Sequence, residues 1–349
     1  MRIVIAAGGT AGHVVPALAV AAALRASGAE VVFVGGERAE RDLVPAAGYE
    51  LRTIRARGLS RTNPLQAARA AALAVRALGT AHRILGELRP DAVMGGGGYV
   101  AGPVGLAAAA RRIPLVLTEA DSHLGLANRA LAPVARRVCL AFPIPGRSGA
   151  KYLVTGRPVP PPAADRAAAR AAFGIGADET LVLVFGGSLG ARSVNSAALE
   201  AFRDAPFRVL HVAGERDFPS LASPRPGYDL RAYLSEGFGA ALAAADLVVA
   251  RSGGSVFEIA AAGRPSILVP YPHAAADHQA ANARWMADGG AAVVIADAAL
   301  TGPVLARTAG ELIGDPPRLA AMGRAAAALA RPDAASDVAA EILAAASAR

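Results

Sequence analysis

The chain has 349 residues, 54% of them hydrophobic, and a formal net charge of +8. This length accommodates two ordinary domains or one large one, and a single cysteine, Cys139, excludes a disulfide framework and favours a reducing compartment. The chain starts with a strand-like stretch that lacks signal-peptide features, and glycines and Pro103 interrupt its longest uncharged run, 92–110. We therefore expect a cytoplasmic protein without a membrane span.

Positive charge is concentrated in the first half. Residues 1–157 contain 20 Lys and Arg against 9 Asp and Glu, whereas residues 158–349 contain 16 against 19. Such a distribution favours an anionic membrane or a phosphorylated substrate as partner. Nucleic acid is disfavoured because the nine Phe and one Trp form no stacking motif.

Apolar, β-branched runs predict strands, and the alanine-rich stretches between them predict helices. In chain order we expect strands at 2–7, 30–35, 91–96, 114–119, 181–187, 208–214, 246–251 and 266–271. This alternation predicts βαβ units, with parallel sheets covered by helices.

An internal repeat predicts two similar α/β domains. "RIVIAAGGTAG" (2–12) and "LVLVFGGSLGA" (181–191) share a strand, two glycines, Ser or Thr, one residue and a glycine. The proline-rich stretch "TGRPVPPPAAD" between them predicts a stiff linker. We expect domains at 1–157 and 158–331, with helix 332–349 packing back on the first.

Glycine loops follow four predicted strands, at Gly8–Gly12, Gly95–Gly98, Gly186–Gly190 and Gly253–Gly254. Such loops bring backbone N–H groups and a helix N-terminus close to a ligand, so a set of four favours a phosphate-bearing ligand. A strand-to-helix turn also favours glycine for its geometry alone. Neither half has the dinucleotide fingerprint, and the second strand ends in "VGGE", with glycines where a ribose-binding acid is expected, which disfavours a dehydrogenase.

Five stretches in this order resemble the MurG family of bacterial N-acetylglucosaminyltransferases, which convert lipid I to lipid II in peptidoglycan synthesis. They are "GGTAGHVVPALAVAAAL", "GGGGYVAGPVGLAA", "FGGSLGAR", "RSGGSVFEIAAAGRP" and "PHAAADHQAANA". The resemblance covers nearly the whole chain. It implies two Rossmann-like domains with parallel sheets facing across a cleft, the GT-B arrangement. It also implies inverting transfer of GlcNAc from UDP-GlcNAc, bound mainly by the second domain, to the MurNAc 4-hydroxyl of lipid I on the first.

His13 is the candidate general base because it follows the first glycine turn. The helix dipole there disfavours the imidazolium, and the family places its candidate base at this position. The ring could instead only cap the turn by hydrogen bonding. Glu119 and Asp121 are the alternative catalytic residues.

Glu258 has two interpretations. With Ser255 it forms a capping-box pattern at a helix start. In the family, the matching glutamate holds the ribose hydroxyls of the donor, and the two roles are compatible.

The resemblance also implies further contacts. Donor contacts are expected from Thr10, Gly12, His13, Asn128, Arg157, Gly187, Ser188, Gly190, Gly254, Ser255, Glu258, His278 and Gln279, and acceptor contacts from Gly96, Gly97 and Tyr99. His278 could instead lie at a solvated helix N-terminus, and 96–99 could be only a close-packed turn. No cofactor and no metal are expected, since the chain has no Asp-x-Asp motif or histidine cluster.

The chain departs from the family pattern at three places. "TEAD" (118–121) stands where His-Glu-Gln-Asn is usual, and "RPVP" (157–160) stands for Asn-Pro-Val-Arg, so Arg157 is the substitute for a lost arginine. The loop at 251–258 is one residue shorter than usual, and "YLSEGF" (233–238) aligns poorly with the segment that reads uracil. These changes leave two alternatives: a GT-B glycosyltransferase with another lipid or small acceptor, and a non-catalytic nucleotide-sugar-binding protein.

The segment from Arg52 to Arg89 has eight arginines against one acid, and Arg69, Arg76 and Arg83 recur every seven residues. This stripe could be the solvated side of an ordinary helix. Because a lipid-anchored acceptor must be reached from the membrane, we expect the stripe to dock on anionic lipid. The predicted location is peripheral, on the cytoplasmic face of the plasma (inner) membrane, with other cell-wall synthesis proteins as further partners.

Overall fold

The computed structural model describes residues 1–56, 64–187, 189–234, 237–274 and 277–348, and it describes 64–72 and 74 through their backbone alone. The chain divides into an N-terminal unit, Met1–Pro160 with Arg331–Arg349, and a C-terminal unit, Pro161–Ala330. Each unit contains one parallel sheet flanked by helices, which confirms the predicted α/β class.

The sheet of the N-terminal unit has seven strands in the order β3-β2-β1-β4-β5-β6-β7. Its strands are β1 (Arg2–Ala6), β2 (Glu30–Gly35), β3 (Glu50–Thr53), β4 (Ala92–Gly95), β5 (Leu115–Glu119), β6 (Arg137–Leu140) and β7 (Tyr152–Val154). Its helices are α1 (Ala11–Ala26), α2 (Ala39–Ala46), α3 (Pro64–Leu88), α4 (Gly98–Ala110), α5 (Leu126–Leu131) and, from the end of the chain, α13 (Ala334–Ser347).

Alternation along β1 builds two cores, one on each face of the sheet. Ile3 and Ile5 point to the face covered by α1 and α13, and Val4 and Ala6 point to the face covered by α3 and α4. Both faces of the sheet are therefore buried, and its polar chemistry is confined to the ends of the strands.

Helix α13 belongs to the N-terminal unit although it ends the chain. It packs against α1 and contributes Val338 and Ile342 to the same core as Ile3 and Ile5. An ion pair between Arg137 and Glu341, at 3.1 Å, joins it to β6.

The sheet of the C-terminal unit has six strands in the order β10-β9-β8-β11-β12-β13. Its strands are β8 (Leu181–Phe185), β9 (Arg208–Val212), β10 (Tyr228–Arg231), β11 (Leu247–Ala250), β12 (Ser266–Leu268) and β13 (Ala292–Val294). Its helices are α6 (Arg166–Ala172), α7 (Arg192–Ala201), α8 (Phe238–Ala244), α9 (Val256–Ala261), α10 (His278–Asp288), α11 (Gly302–Ile313) and α12 (Pro316–Leu329), with 3-10 turns at Phe218–Ser220 and Asp297–Ala299.

Candidate functional site

In both units, glycine loops follow the two neighbouring strands at which the strand order reverses. β1 and β4 are neighbours in the N-terminal sheet, and a Cβ atom on Gly98 would lie 2.1 Å from the carbonyl oxygen of Gly8, so the loops after these strands touch. β8 and β11 are the corresponding neighbours in the C-terminal sheet, and they lead into loops 186–191 and 251–255. Ligands of open parallel sheets bind at such switch points. The four predicted loops thus form two candidate sites, one in each unit.

His13 lies between the two turns of the N-terminal site. It is the third residue of α1 and is partly buried, with Nδ1 3.2 Å from the Thr10 hydroxyl. The ring packs on Gly97, where a Cβ atom would lie 2.7 Å from Cδ2. Among the described residues Nε2 has no hydrogen-bond partner, so Nε2 is the nitrogen that could face a substrate.

The pKa of His13 lies below its ordinary value of 6.5. Burial is the main cause and the nearby Arg157 guanidinium the second, whereas the carboxylates of Asp121 and Glu40 act in the opposite direction. The imidazole is therefore neutral near pH 7 and able to accept a proton. The neutrality that we predicted from the helix dipole has burial and Arg157 as its main causes.

Arg157 contacts the first turn of α1 by donating a hydrogen bond to the carbonyl of Gly12. Pro16 has no N–H group, so it cannot make the helical bond to the carbonyl of Gly12. That carbonyl instead accepts a hydrogen bond from Nη2 of Arg157 at 2.5 Å. Arg157 is buried, and with His13 and Glu119 it lines a cavity of the N-terminal unit. Its predicted contact with the donor phosphates remains a prediction.

Glu119 is occupied by the loop that follows it. Its buried carboxylate accepts hydrogen bonds from the N–H groups of Gly125 (2.8 Å) and Asp121 (3.2 Å) and from Nδ2 of Asn128 (2.9 Å). Burial raises the pKa of Glu119, and these bonds act against the rise. Glu119 therefore holds the loop that follows it, whereas the charge of Asp121 acts on His13.

Asn128 holds the same loop from inside the unit. It is buried, its Nδ2 also donates to the carbonyl of Thr118 at 2.9 Å, and its Oδ1 has no partner within the described part of the chain. The predicted donor contact of Asn128 would therefore have to act through the loop that it supports.

Glu40 is a residue of this site that the sequence analysis missed. Its carboxylate is fully buried and accepts hydrogen bonds from Gly9 N–H and from the hydroxyl of Tyr99 at 3.0 Å. Burial and the adjacent carboxylate raise the pKa of Tyr99 to about 12. A signal was present, because Glu40 precedes the buried Val44 by four residues and so lies on the inward side of α2.

The first loop of the C-terminal site depends on glycine. Gly190 has φ of +84°, and a Cβ atom there would lie 2.1 Å from the carbonyl oxygen of Ala213. Its N–H closes the turn by donating to the carbonyl of Gly187 at 2.9 Å, so this N–H serves the loop itself. Ser188 lies outside the described residues, as do Ser235 and Glu236 of the segment expected near uracil.

A buried polar network supports this loop. His211 is fully buried, with Nδ1 2.8 Å from the Tyr228 hydroxyl and Nε2 3.0 Å from Oδ1 of Asn195. Asn195 donates through Nδ2 to Asp217 and to the carbonyl of Ala213. Burial lowers the pKa of His211 to about 4, so the ring stays neutral and fixes the turn against Gly190.

The second loop of the C-terminal site corrects one prediction. Ser255 is the N-cap of α9 and Glu258 its third residue, but the Ser255 side chain makes no capping bond among the described residues. The Val256 N–H instead bonds to the carbonyl of Gly253 at 3.3 Å. The predicted capping box is therefore wrong for Ser255, and the ribose role of Glu258 remains a prediction.

Helix α10 brings polar side chains to this loop. Asn282 donates through Nδ2 to the carbonyl of Ser252 at 2.9 Å, and Oε1 of Gln279 accepts the N–H of Tyr271 at 2.9 Å. His278 is the first residue of the helix. The Oε1 end of the Gln279 amide is thus bound within the protein. Its Nε2 lies near Gly253, since a Cβ atom on Gly253 would be 3.8 Å from it.

Two parallel-sheet units with glycine loops at their switch points are typical of proteins that bind phosphate-bearing ligands, and His13 adds a candidate general base beside one pair of loops. Residues 3–140 match the glycosyltransferase family 28 N-terminal domain, and residues 181–338 match the glycosyltransferase family 28 C-terminal domain. The chain belongs to glycosyltransferase family 28 and, within it, to the MurG family.

Relatives and a solved structure agree with this assignment. The chain is 43% identical to the UDP-N-acetylglucosamine–N-acetylmuramyl-(pentapeptide) pyrophosphoryl-undecaprenol N-acetylglucosamine transferase of Moorella thermoacetica, over 96% of each chain. It is 44% identical to the transferase of the same name from Alkalilimnicola ehrlichii, over 97% of each chain. The crystal structure of Acinetobacter baumannii MurG matches with a TM-score of 0.77 and 30% identity, covering 98% of this chain and 99% of that one.

Proposed function

We propose that the protein transfers GlcNAc from UDP-GlcNAc to the 4-hydroxyl of the MurNAc residue of lipid I, with inversion, giving lipid II and UDP. The observation that carries this proposal is the near full-length similarity, above 40% identity, to transferases whose names state this donor and acceptor. The neutral His13 beside the N-terminal glycine turns provides the base that such a transfer needs.

In the proposed reaction, Nε2 of His13 removes the proton of the acceptor hydroxyl. The hydroxyl oxygen bonds to C1 of GlcNAc while the bond from C1 to the diphosphate oxygen breaks, and UDP leaves with that electron pair. A general base of this kind typically contributes about 10² to 10⁴ in rate. Asp121, whose charge favours the imidazolium, stabilises the protonated ring that forms.

In this proposal the C-terminal unit makes most of the donor contacts, and the N-terminal unit binds the acceptor. The C-terminal unit, predicted as 158–331, binds the donor: loops 186–190 and 253–255 receive the diphosphate, Glu258 the ribose, and His278 and Gln279 the GlcNAc hydroxyls. The N-terminal unit, predicted as 1–157 with helix 332–349, binds the acceptor diphosphate at Gly96 and Gly97. The hydroxyl of Tyr99 is held by Glu40, so Tyr99 would contact the acceptor through its ring.

We also propose donor contacts for three residues of the N-terminal unit. Thr10 and Gly12 belong to the turn that carries His13, and Arg157 supplies a positive charge beside that turn. A fixed guanidinium next to the base stabilises negative charge on a leaving diphosphate.

A UDP-release assay tests the proposal, with several UDP-sugars crossed against a short-chain lipid I analogue, diacylglycerol and free sugars. We expect release only with UDP-GlcNAc and the lipid I analogue, and we expect UDP-GlcNAc to bind more tightly than UDP-glucose or GDP-sugars. Equal binding of these competitors would contradict the donor assignment. Release with another acceptor would contradict the acceptor assignment.

We also propose reversible docking of the N-terminal unit on anionic membrane. Within the described ranges no helix combines the length and the apolar composition of a membrane span. On α3, Arg76, Arg83 and the apolar Val75 are exposed, and Leu106, Leu126 and Val134 add exposed apolar surface to the same unit. Arg83 lies 3.3 Å from Glu87, and Arg69 is described through its backbone alone. Each arginine near an anionic surface is worth about 1 kcal/mol.

Co-sedimentation with liposomes measures this docking. Binding should rise with the fraction of anionic lipid, fall with salt, and weaken when Arg69, Arg76 and Arg83 are replaced by glutamate. Arg307→Glu and Arg324→Glu in the C-terminal unit are charge controls that should leave binding unchanged. Equal binding to neutral vesicles, or indifference to the α3 substitutions, would show that the stripe is only a solvated helix face.

A further inference from the structure

The buried carboxylate of Glu40 joins three turns at one end of the N-terminal sheet. Oε2 accepts the N–H of Gly9 at 2.8 Å, and Oε1 accepts both the N–H of Gly36 at 2.8 Å and the hydroxyl of Tyr99 at 3.0 Å. The turns are packed directly on this group, because a Cβ atom on Gly8 would lie 2.6 Å from Oε1.

Two of these turns contact the His13 ring. Gly9 precedes Thr10, whose hydroxyl lies 3.2 Å from Nδ1 and whose carbonyl accepts the N–H of His13 at 3.0 Å. Tyr99 follows Gly97 by two residues, and Gly97 packs against the other side of the ring at Cδ2. A single carboxylate thus ties together the backbone on both sides of the imidazole.

Glu40 is buried as an anion. Within the described part of the chain no Lys, Arg or His forms an ion pair with it. Burial acts to raise its pKa, but the hydrogen bonds from Gly9, from its own backbone N–H, from Gly36 and from Tyr99 outweigh burial and lower it, so the group is ionised at neutral pH. A buried charge is costly unless its oxygens are fully hydrogen-bonded.

The C-terminal unit has an acid at the equivalent place but uses it differently. Asp217 also follows the second strand of its sheet and lies against the first glycine loop, where a Cβ atom on Gly190 would be 3.0 Å from its carboxylate. It is neutralised by Arg192 and Arg216. In dinucleotide-binding folds the acid after this strand reads a ribose. In the N-terminal unit the acid binds its own loop, and the N–H of Gly9 is occupied before any ligand arrives.

We propose that Glu40 is a positioning residue of the transfer reaction: it holds the turns at Gly9 and Gly97 so that the His13 ring stays aimed at the acceptor hydroxyl. The proposal rests on the role of His13 in the proposed function. Glu40 itself touches no substrate.

Glu40→Gln in the full-length protein is the test. Glutamine keeps the volume, but its one acceptor oxygen cannot serve both Oε positions, so the bond to Gly9 or to Gly36 is lost. We expect kcat to fall roughly 10- to 100-fold, as for a small misplacement of a reacting group, while the Kd of UDP-GlcNAc stays within about twofold. Asp42→Asn makes the same charge change on the exposed side of α2 and should change neither quantity.

A double-mutant cycle separates positioning from general stability. If Glu40 acts through His13, Glu40→Gln should not reduce kcat further in a His13→Ala background. An unchanged kcat in the single variant, or reductions that multiply in the double variant, would overturn the proposal. If Glu40→Gln does not fold, Tyr99→Phe removes one of the three bonds and must show a smaller loss that also vanishes in the His13→Ala background.

A readout without substrate keeps this inference separate from the reaction itself. In protein with ¹³C-labelled histidine, the ring signal of His13 is assigned as the one missing in His13→Ala. We expect Glu40→Gln to shift or broaden that signal and Asp42→Asn to leave it in place. An unmoved His13 signal would overturn the positioning role, whereas absence of UDP release from the wild type would overturn only the proposed function.

Discussion

Replacing His13 with alanine should lower kcat by roughly 10²-fold or more while leaving the affinity for UDP-GlcNAc nearly unchanged. The base acts in the transition state, when the acceptor hydroxyl loses its proton, and the proposed donor loops lie in the C-terminal unit. The measurement pairs steady-state UDP release with equilibrium binding of UDP-GlcNAc. An unchanged kcat would transfer the catalytic role to Asp121 or Glu119.

The pH dependence of the wild type tests the same role. Transfer requires neutral His13, so the rate is lost as pH falls through the pKa of this ring. Burial and Arg157 lower that pKa, so the acid limb of the kcat profile should lie below the ordinary histidine value of 6.5. Arg157→Ala removes the lowering by the guanidinium and should move this limb to higher pH. An acid limb above 6.5 in the wild type would contradict the environment described for His13.

The parallel strands of the two sheets were largely predictable from the sequence because both faces of the sheets are buried. The predicted runs from "RIVIAA" to "SILVPY" all contain strands. A strand whose two faces are both covered by helices is apolar at every position, so it appears in the sequence as a continuous apolar run. The strands that the pattern missed are β3, β6, β7, β10 and β13, each three or four residues long. Four of these are edge strands with partly exposed side chains, so they have no continuous apolar run that would mark them as strands in the sequence.

The glycine loops and His13 were identified from the sequence because clustered glycines after a predicted strand, and a histidine directly after such a cluster, can be recognised without knowledge of the fold. Glu40 and Asp217 were not, because the partners that tie them to the glycine loops are distant along the chain: Gly9 lies 31 residues from Glu40, and Asn195 lies 22 residues from Asp217. The occupation of Glu119 was hidden for another reason. The sequence does not show which hydrogen bonds a carboxylate makes within its own loop. Here Gly125 and Asn128 both donate to the Glu119 carboxylate.

Replacing one glycine of each unit with alanine should affect donor binding and turnover separately. Gly190→Ala places a Cβ atom 2.1 Å from the Ala213 carbonyl oxygen at φ of +84°, and Gly98→Ala places one 2.1 Å from the Gly8 carbonyl oxygen at φ of +74°. Backbone in this region costs a non-glycine residue about 1 to 3 kcal/mol, and the contact with a backbone oxygen adds to that cost. Each loop must therefore shift in its own unit.

We expect Gly190→Ala to raise the Kd of UDP-GlcNAc at least about 30-fold, since 1.4 kcal/mol corresponds to tenfold, and Gly98→Ala to abolish most turnover while keeping donor binding. Gly174→Ala is the matched control: it has φ of +63° but no described atom within 4 Å of the added Cβ, so it carries the backbone strain without the collision. Binding is measured by calorimetry on variants whose thermal transitions show that they are folded. If Gly98→Ala weakened donor binding as much as Gly190→Ala, the assignment of the main donor site to the C-terminal unit would be wrong, because each collision is confined to one unit.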